Sequence, residues 1–264
     1  MLPDLDQWDR AAEEYARVED ELHQHFLHPA IEETVRSDCA RGRSLLDFGC
    51  GPGDLTARFL DSFERVVVVD QSRRALEIAR RRLGSRAAAM TVEEIALSDE
   101  IFDTVLLSLV LTTVPTDDQA SDLLTLLTRL LAPKARLLLA TTHPCFTFRA
   151  LSQVPYVQSG ASFPVPIGKS LQVVEYHRPL ADVLNLLGKA GLRIIRAREV
   201  MDSVDYYVRK GEPAHRFAGA LPMFLILTCD YPRERTTDED RACVLAGESG
   251  GHSLFRSHSR HGDL

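Results

Sequence analysis

From Ser44 onward, short apolar runs alternate with amphipathic stretches. Leu45 to Phe48, Val66 to Val69, Ala87 to Met90, Phe102 to Leu109 and Arg136 to Ala140 read as strands, because short runs apolar at successive positions offer no solvent-facing side. Helical spacing fills the gaps, beginning near Leu55, at Ser72 and at Asp117, the last reaching Leu131. This rhythm predicts right-handed crossovers and a parallel sheet covered on both faces. Ahead of it, Trp8, Ala11, Ala12, Tyr15, Val18 and Leu22, then Ile31 and Val35, recur at helical spacing with a break at Pro29, so residues 1–43 are expected to form a helical cap.

After Thr142 the rhythm stops. Residues 143–178 hold Pro144, Pro155, Pro164 and Pro166 among Phe146, Phe148, Tyr156 and Phe163. That stretch is too apolar for a solvated linker and too rich in proline for a helix, so it reads as a substrate insertion, a lid or binding loop. A helix from Pro179 to Ala190, a stop at Gly191 and strands at Leu192–Glu199 and Met223–Cys229 complete one domain over residues 1–230. The polar tail, 231–264, is expected to be mobile. There are no internal repeats.

Composition mainly excludes. The chain has 264 residues and a net charge of -7, which argues against a nucleic-acid partner held by a broad positive field. Arg73, Arg74, Arg80, Arg81, Arg82 and Arg86 spread round a helix and read as a solvated face, a partner site being the other reading. Five cysteines (Cys39, Cys50, Cys145, Cys229, Cys243) contain no C-x-x-C pair and follow no apolar leader, so neither a disulfide framework nor a zinc ribbon is expected. No apolar run is long enough to span a membrane, and a cytoplasmic protein is expected.

The chemistry concentrates in Leu45-Leu-Asp-Phe-Gly-Cys-Gly-Pro-Gly-Asp-Leu-Thr56, a strand entering a glycine turn and then a helix. In an open parallel sheet, ligands sit at the carboxyl end of such a strand. A dinucleotide loop would carry G-x-G-x-x-G, whereas here Gly49 and Gly51 fit and the third position is Asp54. Asp47 and Asp54 would repel a pyrophosphate and suit a ligand bringing positive charge. S-adenosylmethionine, with its ammonium and sulfonium, meets that requirement, and the glycines allow close backbone approach. Seventeen residues past Gly53, Asp70 ends the run Val66-Val-Val-Val, where a carboxylate accepts both ribose hydroxyls or, alternatively, neighbours a helix capped by Ser72.

These segments, together with Phe102-Asp-Thr-Val105, Arg178-Pro-Leu180 and Ala190-Gly-Leu192, resemble the class I S-adenosylmethionine-dependent methyltransferases, in particular the bacterial small-molecule group, from about Trp8 to Cys229. The resemblance implies a Rossmann-like α/β fold: a seven-stranded, mostly parallel sheet with the last strand antiparallel, and a cap closing over the cofactor. It implies that Asp47, Gly49, Cys50, Gly51 and Gly53 surround the methionine part, Asp70 holds the ribose and Gln71 lies beside the adenine. It also places Tyr15 near the cofactor's carboxylate, a position equally fit for a core residue, and Ser108 at the end of the fourth strand. Where the family often has an adenine-binding Asp, twelve residues before Asp103, this chain has Thr91, so Thr91, Val92 or Glu93 would supply that contact. Cys50 is expected to be a small filler.

Methyl transfer needs nucleophile, methyl and sulfur in line, and a base only where the nucleophile must lose a proton. His143, in Thr141-Thr-His-Pro-Cys-Phe146, follows the fifth strand at the rim of the glycine loop and is the first candidate, with local hydrogen bonding as the other reading. Tyr176 and His177 are a second set. His23, His25 and His28 resemble a metal cluster, but helical spacing puts only His25 and His28 on one side, so no metal is expected. Ser108-Leu-Val-Leu111 lacks both an Asn-Pro-Pro-Tyr-type motif and a magnesium-binding acid. The expectation is therefore methylation of oxygen or nitrogen on a small, apolar or aromatic metabolite, without nucleic acid, membrane or metal, in an oligomeric state left open. A cofactor-binding protein with altered chemistry, a nucleic-acid methyltransferase and an NAD-dependent oxidoreductase are the competing readings.

Overall fold

The computed structural model describes residues 5–17, 22–39, 43–147, 155–167, 171–211, 213–214 and 217–232. Val18, Phe148, Cys243 and the tail from residue 233 lie outside the described residues. Met1–Pro232 gather into one compact unit.

Five parallel strands, β1 (Ser44–Phe48), β2 (Arg65–Asp70), β3 (Ala88–Thr91), β4 (Phe102–Ser108) and β5 (Leu131–Thr142), form most of one sheet. A hairpin, β6 (Ser162–Ile167) and β7 (Leu171–Tyr176), stands apart, and β8 (Arg193–Met201) and β9 (Pro222–Asp230) complete the sheet in the order β3-β2-β1-β4-β5-β9-β8. Strand β9 runs antiparallel to both neighbours. The order reverses between β1 and β4, and there the strand tips open a crevice.

Alternation along the strands sends side chains to two faces. Leu46, Phe48, Val67, Val69, Val105 and Leu107 enter one core, closed by α6 (Asp117–Arg129) and α8 (Leu180–Lys189). Leu45, Val66, Val68, Leu106 and Leu138 enter the other, closed by α2 (His28–Asp38) and α4 (Arg73–Leu83). The apolar face of α4 is Ala75, Leu76, Ile78, Ala79 and Leu83, all buried. Its arginines are more engaged than a merely solvated face requires: Arg74 pairs with Glu13 and Glu77 and Arg82 with Asp54, while Arg86, in the turn that follows, pairs with Asp61.

The cap consists of α1 (Leu5–Arg17) and a π-helical turn, His23–Leu27, that runs straight into α2 with Pro29 in its first turn. Helix α1 spans two neighbours. Ala12 packs with Ala75 and Ile78 of α4, while Ala11 packs with Ile167 and Val173 of the hairpin. The contacts are polar as well: Asp9 accepts from the Ser72 hydroxyl and from the Arg74 amide (3.2 Å), and the Gln7 side chain accepts from the Val174 amide at 3.0 Å.

Two elements escape the sequence pattern. The proline-rich insertion contains the hairpin because a two-stranded ribbon has a free edge on each strand, where Pro164 and Pro166 need donate nothing. Its alternate residues Phe163, Ile167 and Val173 are buried. The other is α9 (Val204–Lys210), a short polar helix capped by Ser203 and anchored by the buried Tyr206 and Tyr207.

Candidate active site

The glycine turn after β1 sits on the end of β2: the amides of Gly49 and Cys50 both donate to the Val69 carbonyl, at 2.7 and 3.0 Å. Gly49 has φ +79°, and a Cβ there would lie 2.2 Å from Val110 Cγ2. Gly51, at φ +54°, would direct a Cβ into open space instead. Its amide donates to Asp70 Oδ2 at 2.8 Å, and the Ser72 amide donates to Asp70 Oδ1 at 2.8 Å. Asp70 thus ties the turn to the start of α4, which Ser72 caps through the Ala75 amide.

Buried carboxyls dominate the electrostatics. Burial pushes Asp47 up to about 7, against the Thr56 hydroxyl that donates to it at 2.6 Å and with help from the charge of Asp70. Asp70 is raised as well, chiefly by burial, although backbone amides favour its charged form. Asp54 behaves differently from expectation. It opens α3 (Asp54–Ala57) and pairs with Arg82, which also donates to the Pro52 carbonyl at 2.9 Å, so its charge is neutralised outside the crevice. Negative potential at the turn comes from Asp47 and Asp70.

A cavity of about 640 Å³ opens over the turn. Its floor includes Gly49, Gly51, Asp70 and Ser108, and its roof combines Trp8 and Tyr15 of α1 with Val165, Ile167, Val173 and Glu175 of the hairpin. Period-two alternation puts Val173 and Glu175 on the same side of β7. Burial pushes the Glu175 carboxyl up to about 7, against the opposing influence of the nearby Thr112 hydroxyl, which donates to the Leu109 carbonyl at 3.3 Å. Leu109, also on the wall, follows β4 with φ 59°, a left-handed conformation that costs a non-glycine residue ~1–2 kcal/mol.

Residues 46–139 match the family model described as "Methyltransferase domain". Over residues 46–139 the chain is similar to a methyltransferase domain, and its fold is the one found in S-adenosylmethionine-dependent methyltransferases. Solved structures share its fold at low identity. The DhpI–SAM–HEP complex superposes with a TM-score of 0.61 at 18% identity, covering 86% of this chain and 95% of that one. A S-adenosylmethionine-dependent methyltransferase from Mesorhizobium loti gives 0.59 at 22%, covering 76% and 95%. The N-methyltransferase NodS from Bradyrhizobium japonicum, in complex with S-adenosyl-l-homocysteine, gives 0.57 at 15%, covering 86% and 100%. No curated protein sequence matches the chain.

The structure brings together Tyr15, Gly49, Gly51, Asp70, Gln71, Val92 and Ser108 on one cavity wall. Other expected contacts stand behind it. Asp47 and Cys50 are buried outside the lining, and a Cβ on Gly53 would meet Leu83 and Ala79 of α4, so this glycine serves close packing of loop and helix. Thr91 is consumed by a capping box at the start of α5 (Val92–Ala96): its hydroxyl accepts from Glu94 N (3.2 Å) while Glu94 Oε2 accepts from Thr91 N (2.7 Å). Glu93 sits in that first turn, outside the lining.

The expected bases are also outside it. His143 is buried; its Nδ1 accepts from the Cys145 amide at 3.2 Å, capping the single turn α7 (Pro144–Phe146), and its Nε2 lies 3.2 Å from Glu199. Burial lowers its pKa against the opposing pull of Glu199. The His177 ring contacts the Tyr156 carbonyl at 2.8 Å and its backbone holds Gly160 and Ala161, while Tyr176 pairs with Ser162 across the hairpin. Both tie the insertion together. Sequence reading missed Glu175, the residue beside Tyr176, and Asp122, which lines the cavity from α6. Alternation from Val173 is the signal that would have found Glu175, had the insertion been read as a strand. Among the described residues there is no group of His, Cys, Asp and Glu suited to a metal, and no helix is long and apolar enough to cross a membrane.

Proposed function

We propose that this domain binds S-adenosylmethionine over the glycine turn and transfers its methyl group to oxygen or nitrogen of a small apolar molecule under the hairpin. The observation that carries this reading is the open face of Gly51 beside Asp70 at the floor of a roofed cavity. The residues fit the cofactor. Carboxylates and no Lys or Arg line the cavity among the described residues, which suits a sulfonium and an ammonium and disfavours a pyrophosphate. The buried Trp8 Nε1 on that wall has no hydrogen-bond partner among the described residues, a donor for an oxygen of the ligand.

Asp70 would accept from the ribose hydroxyls, Gln71 and Val92 would flank the adenine, and Gly49 and Gly51 would leave room for the methionine part. The cofactor supplies a methyl carbon activated by positively charged sulfur. The protein aligns the acceptor, an effect worth ~7–11 kcal/mol when the geometry is close to reaction, and excludes water beneath the hairpin and α1. A volume of about 640 Å³ is of small-molecule size. The four described cysteines are free thiols, which supports a reducing, cytoplasmic setting.

Titration calorimetry with S-adenosylhomocysteine and with NADH tests the reading. The thioether is expected to bind and NADH is not; tight NADH binding without a response to the thioether would overturn it.

A further inference from the structure

The cavity wall reaches well beyond the glycine turn, and its chemistry there is specific. Apolar groups dominate: Trp8, Val114, Leu123, Phe146, Ile167 and Val173. Against them stand the carboxyl groups of Glu175 on β7 and Asp122 on α6, with Asp70 at the far end under the turn. The titratable groups that share the wall with Glu175 are Asp122 from α6, Asp70 from β2, and Tyr15 and His23 from the cap; its uncharged polar side chains are Gln71, Ser72, Ser108, Thr113, Gln119 and Thr142, and the Thr112 hydroxyl stands behind it. Among the described residues no Lys or Arg side chain reaches this wall. Arg178, the nearest cation in sequence, spends its guanidinium on the Leu111, Val114 and Thr116 carbonyls and on Asp117.

An acceptor carrying a carboxylate or phosphate would bring an anion into a site that already holds carboxyl groups and offers little positive charge. A protonated amine on an apolar body matches both features, its ammonium against the acids and its hydrocarbon against the rest. Resting on the methyltransferase reading above, we infer that the acceptor is a lipophilic primary or secondary amine and that Glu175 is its anchor and proton acceptor.

The step balances. The ammonium, N–H3⁺, gives one proton to the Glu175 carboxylate, leaving a neutral amine and a carboxylic acid. The nitrogen lone pair forms the new N–C bond as the carbon–sulfur bond breaks, and the electrons of that bond remain on sulfur as a thioether. The products are the methylated ammonium and the neutral thioether, and Glu175 returns its proton to water. Burial and a neighbouring sulfonium both disfavour a second cation, so the amine gives up its proton more readily here than in water. The raised pKa of Glu175 suits a base that works near neutrality.

The test uses three probes of one skeleton, 4-phenylbutylamine, 4-phenylbutanol and 4-phenylbutanoate, titrated into the full chain saturated with S-adenosylhomocysteine. The amine is expected to bind at least ~10-fold more tightly than the acid, with the alcohol between them. Glu175→Gln should remove most of that preference and Glu175→Asp should keep it, while thioether affinity stays unchanged in both. With radiolabelled S-adenosylmethionine and any amine that turns over, Glu175→Gln should lower kcat/KM by ~10²- to 10⁴-fold and erase the acid limb of its pH profile. Equal binding of amine and acid, or an amine preference that survives Glu175→Gln, would overturn the inference. Absence of thioether binding would instead remove the methyltransferase reading beneath it.

Discussion

The Gly51 amide donates to Asp70 at 2.8 Å, so one carboxylate both shapes the glycine turn and faces the cavity. Replacing Asp70 by Ala removes an acceptor from the Gly51 and Ser72 amides and from the ribose hydroxyls together. Hydrogen bonds to a charged group are worth ~1.5–3 kcal/mol each, so Asp70→Ala should weaken S-adenosylhomocysteine binding by at least ~10-fold. Asp70→Asn keeps an acceptor oxygen and should lose less. Calorimetric titration of both variants measures the order.

Gly49 and Gly51 separate stability from binding. A Cβ at Gly49 would lie 2.2 Å from Val110 Cγ2 on a backbone with φ +79°, whereas one at Gly51 enters open space at φ +54°. Left-handed strain costs ~1–2 kcal/mol in either case, and the clash adds ~1–3 kcal/mol at Gly49 alone. Thermal melting should therefore show Gly49→Ala to be the more destabilised, with part of the loss recovered by adding Val110→Ala. Gly51→Ala should melt closer to the native protein and lose more thioether affinity than stability.

Arg178 predicts a stability effect of another kind. It is 4% exposed and bonded to three carbonyls and Asp117, holding the turn after β4 to the end of the hairpin. Arg178→Ala orphans those groups and should destabilise by ~3–5 kcal/mol. Arg178→Lys, which lacks the planar fork, should recover little of it. Denaturant unfolding followed by circular dichroism checks both.

The sheet was legible because its inner strands are largely apolar at consecutive positions, a pattern that double-sided burial explains, and the notch between β1 and β4 followed from strand, glycine turn and helix in immediate succession. The cofactor end was partly legible. Gly49, Gly51 and Asp70 have local reasons to be where they are, but Asp54 looked like a free acid because its partner Arg82 is 28 residues away on α4. Thr91 looked available until its reciprocal bonds with Glu94 were seen. The acceptor end was hidden because prolines masked the alternation of β6 and β7, and with it the inward side of Glu175. His143 drew attention by its place after β5, yet which way a histidine faces beyond a strand end is decided by packing against β8 and β9, not by spacing.

For His143 the geometry predicts little effect on chemistry. Its ring caps α7 and meets Glu199 outside the cavity lining. His143→Asn keeps a side-chain acceptor for the Cys145 amide, a residue type well suited to a helix start. Methyl transfer followed with labelled S-adenosylmethionine should proceed at the native rate; a loss of ~10²-fold would return His143 to the mechanism.

Glu175 also makes a prediction about stability that needs no substrate. Its folded pKa is raised from 4.5 to about 7 by burial, so the folded protein holds a proton that the unfolded chain releases near the ordinary value. The stabilisation is therefore complete below the unfolded pKa and is lost as pH rises through the folded one. A shift of this size corresponds to ~3 kcal/mol. Glu175→Gln carries no charge at any pH, so it should match the native protein near pH 4 and exceed its stability at pH 8 by up to that amount. Asp47 is raised to about 7 as well and His28 is lowered to about 4, so the native curve alone mixes opposing trends. Subtracting variant from native unfolding free energies across pH 4–8 isolates Glu175, and a difference that stays flat with pH would show that its carboxyl titrates as if exposed.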